Sequence, residues 1–515
     1  MHRRWKGGYR AAAWETALLA VSLVLLAGAC SGGSGSSGPP ASARAPLTGP
    51  GPASTVRPPA TPPACHGRLV RVGADIQRAI DAAGPGGRLC LAAGVHRLAR
   101  TLVPRAGQVI GGRPGAVLSG ARPLAGWRRD PSGRWFHTGG TADPGRLGGE
   151  CAGGGTACLY PDDVWRGRTR LTRVLSLGEL RPGNVYIDYA ADRIWVADDP
   201  TGAAMELSVT PHAITSNSNE RGTARVRLTG LVVERFANPA ESAAAVEMGP
   251  GWVVDGLEVR DNHGTGVESG SHSILRNSHI HHQGHLGLAG SGTTGALVQG
   301  NEVDHNNTAG YDWNWEAGGA KWAAGTDRLT VRGNYVHDNQ GPGLWTDGDN
   351  IHTLYERNLV ENNLGPGIIH EISYDAVIRY NTVRNNATAA AGRSIWWGAD
   401  IHLNGSQRVQ IYGNTVVSRV NAIGLVDTDR GAGRYGPYQL AQVDVHDNVI
   451  QMAPGAETGL VGRERAFEAS AGNRFDRNTY HVPDPAGEFW QWRQPLDAAG
   501  WRASGQDRDG SFVRT

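Results

Sequence analysis

From about residue 230 onward, short runs of alternating apolar and polar residues recur, each ending on an Asn. Three copies are clearest: Asn334-Tyr-Val336-His-Asp-Asn339, Asn358-Leu-Val360-Glu-Asn-Asn363 and Asn381-Thr-Val383-Arg-Asn-Asn386. Further copies begin at Asn301, Asn414, Asn448 and Asn478, with degenerate ones at Leu231, Leu257 and Ser278. Intervals of 21 to 34 residues suit a solenoid, in which each unit buries its apolar face only by stacking on a neighbour. Each unit has a short apolar run before the Asn (Leu329-Thr-Val331, Leu354-Tyr355, Val377-Ile378) and a second after it. A Gly-rich corner and a third run follow, such as Leu344-Trp-Thr-Asp347 or Ile368-Ile-His-Glu371. Three strands in so few residues leave no room for helices, which predicts an all-β, right-handed parallel β-helix over residues 216–482. The Asn residues read as scaffold: Asn tolerates left-handed backbone at bends, and stacked amides hydrogen-bond along a ladder.

The pattern changes at both ends. Within residues 65–120, Asp75-Ile-Gln-Arg-Ala-Ile-Asp-Ala-Ala spaces Ile76, Ala79 and Ile80 as one helical face, with Asp75 as N-cap. Such a helix would cover the first coil, whose bare edge would otherwise invite aggregation. Between 121 and 215 the repeat lapses into aromatic strands, including Asn184-Val-Tyr-Ile-Asp-Tyr, which predicts a β-rich insertion. At residues 483–515, Gln494-Pro-Leu-Asp-Ala-Ala-Gly-Trp-Arg predicts a short closing helix.

The first 30 residues read as an export signal. Arg3, Arg4, Lys6 and Arg10 precede an apolar run from Ala17 that is short for a membrane span and ends at Cys30. Leu26-Ala-Gly-Ala-Cys30 resembles a bacterial lipobox, with Ala27 where Leu is commonest, which implies lipidation of Cys30; an ordinary cleaved signal is the alternative. Residues 31–64 are nearly all Gly, Ser, Pro, Ala and Thr, the composition of a flexible tether. Membrane contact would then run only through the anchor, and the protein would sit at the cell surface or be secreted. Four further cysteines, Cys65, Cys90, Cys151 and Cys158, lack metal-type spacing and predict two disulfides. Three pairings are possible, among them Cys65–Cys90 and Cys151–Cys158.

Composition narrows the function. Of 515 residues, 74 are Gly and 19% are charged, in line with one large β domain. The net charge of +2, with Arg and Asp scattered, gives no nucleic-acid surface.

Two acids stand out within this frame. Asp347 and Glu371 each follow their repeat Asn by thirteen residues, so they are expected side by side. Inward Leu344 and Ile368 would turn both outward, on strands ~4.8 Å apart. That separation suits the nucleophile and acid/base of a retaining glycosidase, about 5 to 5.5 Å, and mutual repulsion would raise one pKa. The plainer alternative is a solvated acidic ladder or a Ca²⁺ site, since Asp347-Gly-Asp349-Asn350 is rich in oxygen. No other metal or cofactor is expected.

Two longer coils flank the pair, with Tyr311-Asp-Trp313-Asn-Trp315-Glu316 in the first and Ser394-Ile-Trp396-Trp397 in the second. They would wall a cleft, with Trp313, Trp315, Trp345, Trp396 and Trp397 offering flat surfaces to sugar rings. Trp322 reads as core. Lys321 is one of two lysines in the chain, so it is either a shiftable amine in the cleft or the ion-pair partner of Glu316. His370 is expected behind the site, and Asp427, thirteen residues after Asn414, extends the register.

The stretch Trp315-Glu316-Ala-Gly-Gly-Ala-Lys321, Gly341-Pro-Gly-Leu-Trp-Thr-Asp347 and Gly365-Pro-Gly-Ile-Ile-His-Glu371 resembles exported bacterial β-helix proteins of the pectin-lyase-like superfamily. The Trp-x-Asp with a Glu on the next coil is similar to retaining β-helix xylosidases, which implies Asp347 as nucleophile and Glu371 as acid/base. Three functions stay open on this scaffold. The first is a retaining hydrolase of a polysaccharide or oligosaccharide. The second is a polysaccharide lyase or uronate epimerase using Lys321 or an Arg, with Ca²⁺. The third is a non-catalytic glycan-binding surface protein.

Overall fold

Strands of mostly three to six residues stack coil upon coil into three long sheets, two of thirteen strands and one of eleven. Within the solenoid the pairings between successive coils are parallel, and consecutive strands in each sheet come from consecutive coils. This computed structural model describes residues 64–145, 148–216, 224–240 and 244–515. The export segment, Cys30 and the tether as far as residue 63 lie outside the described residues. The architecture is the expected right-handed parallel β-helix.

Its interior is apolar, with Val331, Val336, Leu344, Val360, Ile368 and Val383 all at most 1% exposed. Buried amides run through it in two ladders at the bends. In the first, the Oδ1 of Asn334, Asn358, Asn381, Asn414 and Asn448 each accepts the backbone N–H and the side-chain amide of the preceding Asn, at 2.9–3.0 Å. The second ladder repeats this through Asn306, Asn339, Asn363 and Asn386. Each amide also donates to a main-chain carbonyl of the coil before, as Asn358 does to Val331 at 3.0 Å. Polar groups that would cost free energy in an apolar core are thereby satisfied.

The left-handed backbone falls one residue earlier than expected. Arg357, Tyr380 and Asp447 have φ of 53°, 56° and 53°, while the ladder residues that follow them are not left-handed. Asp338, Asn362 and Asn385 do the same before the second ladder, at 52°, 57° and 56°. The left-handed residue turns the chain, and the Asn after it swings its amide inward.

Both ends are closed as expected. Helix Ile76–Ala83 is capped by Asp75, whose side chain accepts the Arg78 N–H, and it buries Ile76 and Ile80 on the first coils. Helix Ala498–Ala503 places Trp501 at the far end, fully buried, with its indole N–H donating to Asp507 at 2.9 Å. The stretch between 121 and 208 forms a four-stranded and a five-stranded sheet, with a small core of its own around Val164, Ile194 and Leu207. Disulfides join Cys65 to Cys90 and Cys151 to Cys158, a pairing that suits an oxidising, exported setting. Among the described residues no helix is long and apolar enough to cross a membrane.

Each ladder ends on an acid, the first on Asp507, which accepts from Asn478, and the second on Asp400. Asp400 is fully buried, and its Oδ1 accepts the backbone N–H and side-chain amide of Asn386 at 2.9 and 2.7 Å. Burial pushes its carboxyl up to about 7, against the pull of those donors. Since the unfolded value is about 3.9, the folded state binds the proton more tightly, and stability drops as pH rises through about 7. Asp400→Asn keeps the acceptor and removes the charge. It should raise the melting temperature at pH 8, by a free energy of at most roughly 4 kcal/mol, and by about a third of that free energy at pH 5. An effect independent of pH would contradict the buried acid.

Candidate active site

Strand Leu344–Asp347 lies in the eleven-stranded sheet beside Ile368–Glu371, with Asp347 directly opposite Glu371. Leu344, Thr346, Ile368 and His370 are at most 1% exposed and fill the interior. Alternation then turns Trp345, Asp347, Ile369 and Glu371 outward. The two carboxylates therefore share one face on adjacent rungs, and their side chains are 23% and 15% exposed. The corners that lead into these strands, Gly341-Pro-Gly343 and Gly365-Pro-Gly367, pack backbone on backbone. A Cβ on Gly341 would fall 2.2 Å from the Ala317 carbonyl oxygen, so that corner admits no side chain.

Lys321 is the ion-pair partner of the first acid. It projects from the preceding strand, opposite Trp345, and its Nζ lies 3.0 Å from Asp347 and 3.3 Å from Glu316. The ammonium also sits 3.9 Å from the centre of the Trp345 ring. Burial opposes its charge, but Asp347 and Glu316 outweigh that and hold its pKa well above the ordinary lysine range. Lys321 is thus the ion-pair partner of Glu316 and of Asp347 together, and the reading of it as a shiftable amine is not met.

Glu371 has different neighbours. Arg430 donates to its Oε1 at 2.7 Å and Asn404, on the next strand, donates to the same oxygen at 3.2 Å. Burial and the Asp347 charge raise its pKa, and Arg430 and Lys321 pull it back only in part. Sequence reasoning missed both partners. Asn404 follows from the register once the coil lengths are known. Arg430 comes from the segment after Asp427, and the 34-residue step from Asn414 to Asn448 was its signal.

The remaining candidates divide. His370 lies inside, its Nδ1 2.8 Å from Thr346 Oγ1, and burial lowers its pKa to about 4. Asp349 turns to the neighbouring loop, where its Oδ1 accepts the Arg434 N–H and the Tyr438 hydroxyl, each at 2.8 Å. Asn350 is buried, accepts the Thr326 N–H and donates to the Trp322 carbonyl. Asp349 and Asn350 are thus held by separate partners. Trp322 is core, and its indole donates to Ser269 at 3.2 Å.

Asp427 does not extend the register. Val426, one residue earlier, takes the place beside Asn404. A one-residue offset flips a strand side chain to the other face. Asp427 accordingly points inward with no exposed side chain, salt-bridged to Arg463 at 2.8 Å and accepting the Leu440 N–H at 2.7 Å.

The tryptophans of the long coils also differ from one another. Trp313 and Trp315 lie on the short helix Trp313–Glu316; both are half-buried, and Trp315 packs toward Tyr311 and His285. Trp345 is 6% exposed beneath Lys321, and its indole N–H has no partner among the described residues. Trp396 and Trp397 are open, 40% and 53% exposed, on the segment that leads into the strand after that of Glu371.

A family model described as "Right handed beta helix region" matches residues 242–416, which include both carboxylates. No curated protein matches the sequence. Among solved structures, XylC in complex with xylose is similar with a TM-score of 0.63 and 14% identity, covering 79% of this chain and 80% of that one. The mannuronan C-5 epimerase AlgE4 A-module of Azotobacter vinelandii gives 0.48 and 13%, over 79% and 89%. A GH87 α-1,3-glucanase from Streptomyces thermodiastaticus gives 0.45 and 13%, over 85% and 64%. Taken with the three stacked sheets, the family-model match and the likeness to XylC give this chain the fold of a right-handed parallel β-helix.

Proposed function

We propose that this protein is an exported, carbohydrate-active enzyme, a retaining glycoside hydrolase with Asp347 as nucleophile and Glu371 as acid/base. The observation that carries this reading is the asymmetry of two in-register acids. Asp347 is ion-paired with the buried Lys321 ammonium at 3.0 Å. Glu371 has a raised pKa, as a group that must deliver a proton to a leaving oxygen requires. Adjacent rungs ~4.8 Å apart bring the pair near the about 5 to 5.5 Å of double displacement and leave no room for the water of an inverting enzyme. Asp347 attacks the anomeric carbon while Glu371 protonates the departing oxygen; Glu371 then takes a proton from the water that releases the sugar.

Among the described residues, the contacts given to each acid fall on one oxygen. Lys321 binds Asp347 through Oδ2, and both donors to Glu371 use Oε1. Lys321 in this setting is a poor base, because two carboxylates keep its proton on; that counts against a lyase or epimerase built on it. The similar XylC structure holds xylose, so pentosides and xylan fragments are the first substrates to try. Trp396 and Trp397, both open to solvent, would take further rings of a polymer.

Asp347→Asn and Glu371→Gln should each lower sugar release by roughly 10²–10⁴-fold with melting temperature preserved. Wild-type turnover in either folded variant would end the proposal. A second expectation concerns pH. Glu371 must be protonated to act as acid, so activity should fall as pH rises through its pKa, above the ordinary 4.5. Arg430→Met removes a cation that favours the ionised form, and the alkaline limb should move to higher pH. An unmoved limb, or one displaced to lower pH, would contradict the role given to Glu371.

A further inference from the structure

Away from the carboxylate pair, on one of the thirteen-stranded sheets, histidines and acids crowd two neighbouring coils. Strand His279–His281 pairs in register with Glu302–Asp304, so that His279 lies opposite Glu302 and His281 opposite Asp304. Val303 and Ile280 point inward with no exposure, and these four side chains stand on the outer face. One ligand atom from each of His279, Glu302 and Asp304 lies within 4.8 Å of the other two. His279 Nε2 is already 2.6 Å from Asp304 Oδ1.

We propose that His279, Glu302 and Asp304 form a binding site for a borderline divalent transition ion, of which Zn²⁺ is the probe. The donor set argues the class. One imidazole and two carboxylates suit Zn²⁺ and its neighbours, whereas Ca²⁺ takes oxygen ligands only. Three protein ligands leave positions for water, and the side chains of His279 and Glu302 are 34% and 30% exposed, so an ion has a way in. The carboxylates also carry the outer partners that orient metal ligands. His305 Nδ1 lies 2.6 Å from the second oxygen of Asp304, and His337 Nε2 lies 3.3 Å from Glu302. Because the ligands come from two successive coils, a bound ion ties those coils together. The site lies on a different sheet from Asp347 and Glu371, so it acts on stability and leaves the proposed chemistry alone.

The test is calorimetric titration of ZnCl₂ into metal-stripped protein purified without a polyhistidine tag, with melting temperature read alongside. One zinc per chain should bind, and the melting temperature should rise with zinc and not with CaCl₂. His279→Ala/Glu302→Gln should weaken binding by at least about tenfold and abolish the thermal shift. His352→Ala, at an exposed histidine paired with Asp327 elsewhere, should change neither. Should the double variant fold poorly, Glu302→Gln alone serves, with the same expected loss. Absence of saturable zinc binding, equal binding in the His279 and Glu302 variants, or an equal thermal shift with calcium would overturn the proposal.

Discussion

The fold depends on register, and register is held by buried amides. Each ladder Asn must meet the amide of the next coil, or leave a donor and an acceptor stranded in an apolar core. Sliding a coil by one residue would break both ladders and turn its strand side chains inside out. That penalty makes a run of separate short strands behave as one ruler. Two acids on different coils can then be placed together without any direct contact between them.

What the ruler places, local charge differentiates. Asp347 and Glu371 occupy equivalent positions, yet one faces Lys321 and the other Arg430 and Asn404. Lys321, the only lysine among the described residues, is wedged between two carboxylates and the Trp345 ring, where a bulkier guanidinium would need more room. Glu371 sits in a more enclosed position and keeps a raised pKa despite its cation. Equivalent geometry with unequal surroundings is how, on the proposed mechanism, one scaffold gives two like acids different roles.

Much of this was legible in the chain because the solenoid converts sequence intervals into distances. The three-strand coil, the Asn ladders, the capping helices and the alignment of Asp347 with Glu371 all follow from period and alternation. The failures at the site share one cause, which is coil length. Asp427 keeps the thirteen-residue interval, but the chain between Asn414 and this strand is one residue out of step, and the acid lands in the interior. Arg430 lies in an extra loop, where no repeat predicts which side chain reaches back. The left-handed bends were placed on the Asn itself because that residue tolerates them best, although Arg, Tyr and Asp hold them here. The packing of Trp315 on Tyr311 and His285 is a contact that periodicity does not encode.

The central claim is that adjacent rungs present a nucleophile and a proton donor to one glycosidic bond. Its most direct test is to follow, by proton NMR, the anomeric configuration of the first sugar released from a cleaved substrate. Double displacement at Asp347 requires the product to appear with the configuration of the bond that was broken, before mutarotation. The opposite anomer, or an unsaturated product absorbing in the ultraviolet, would contradict the account.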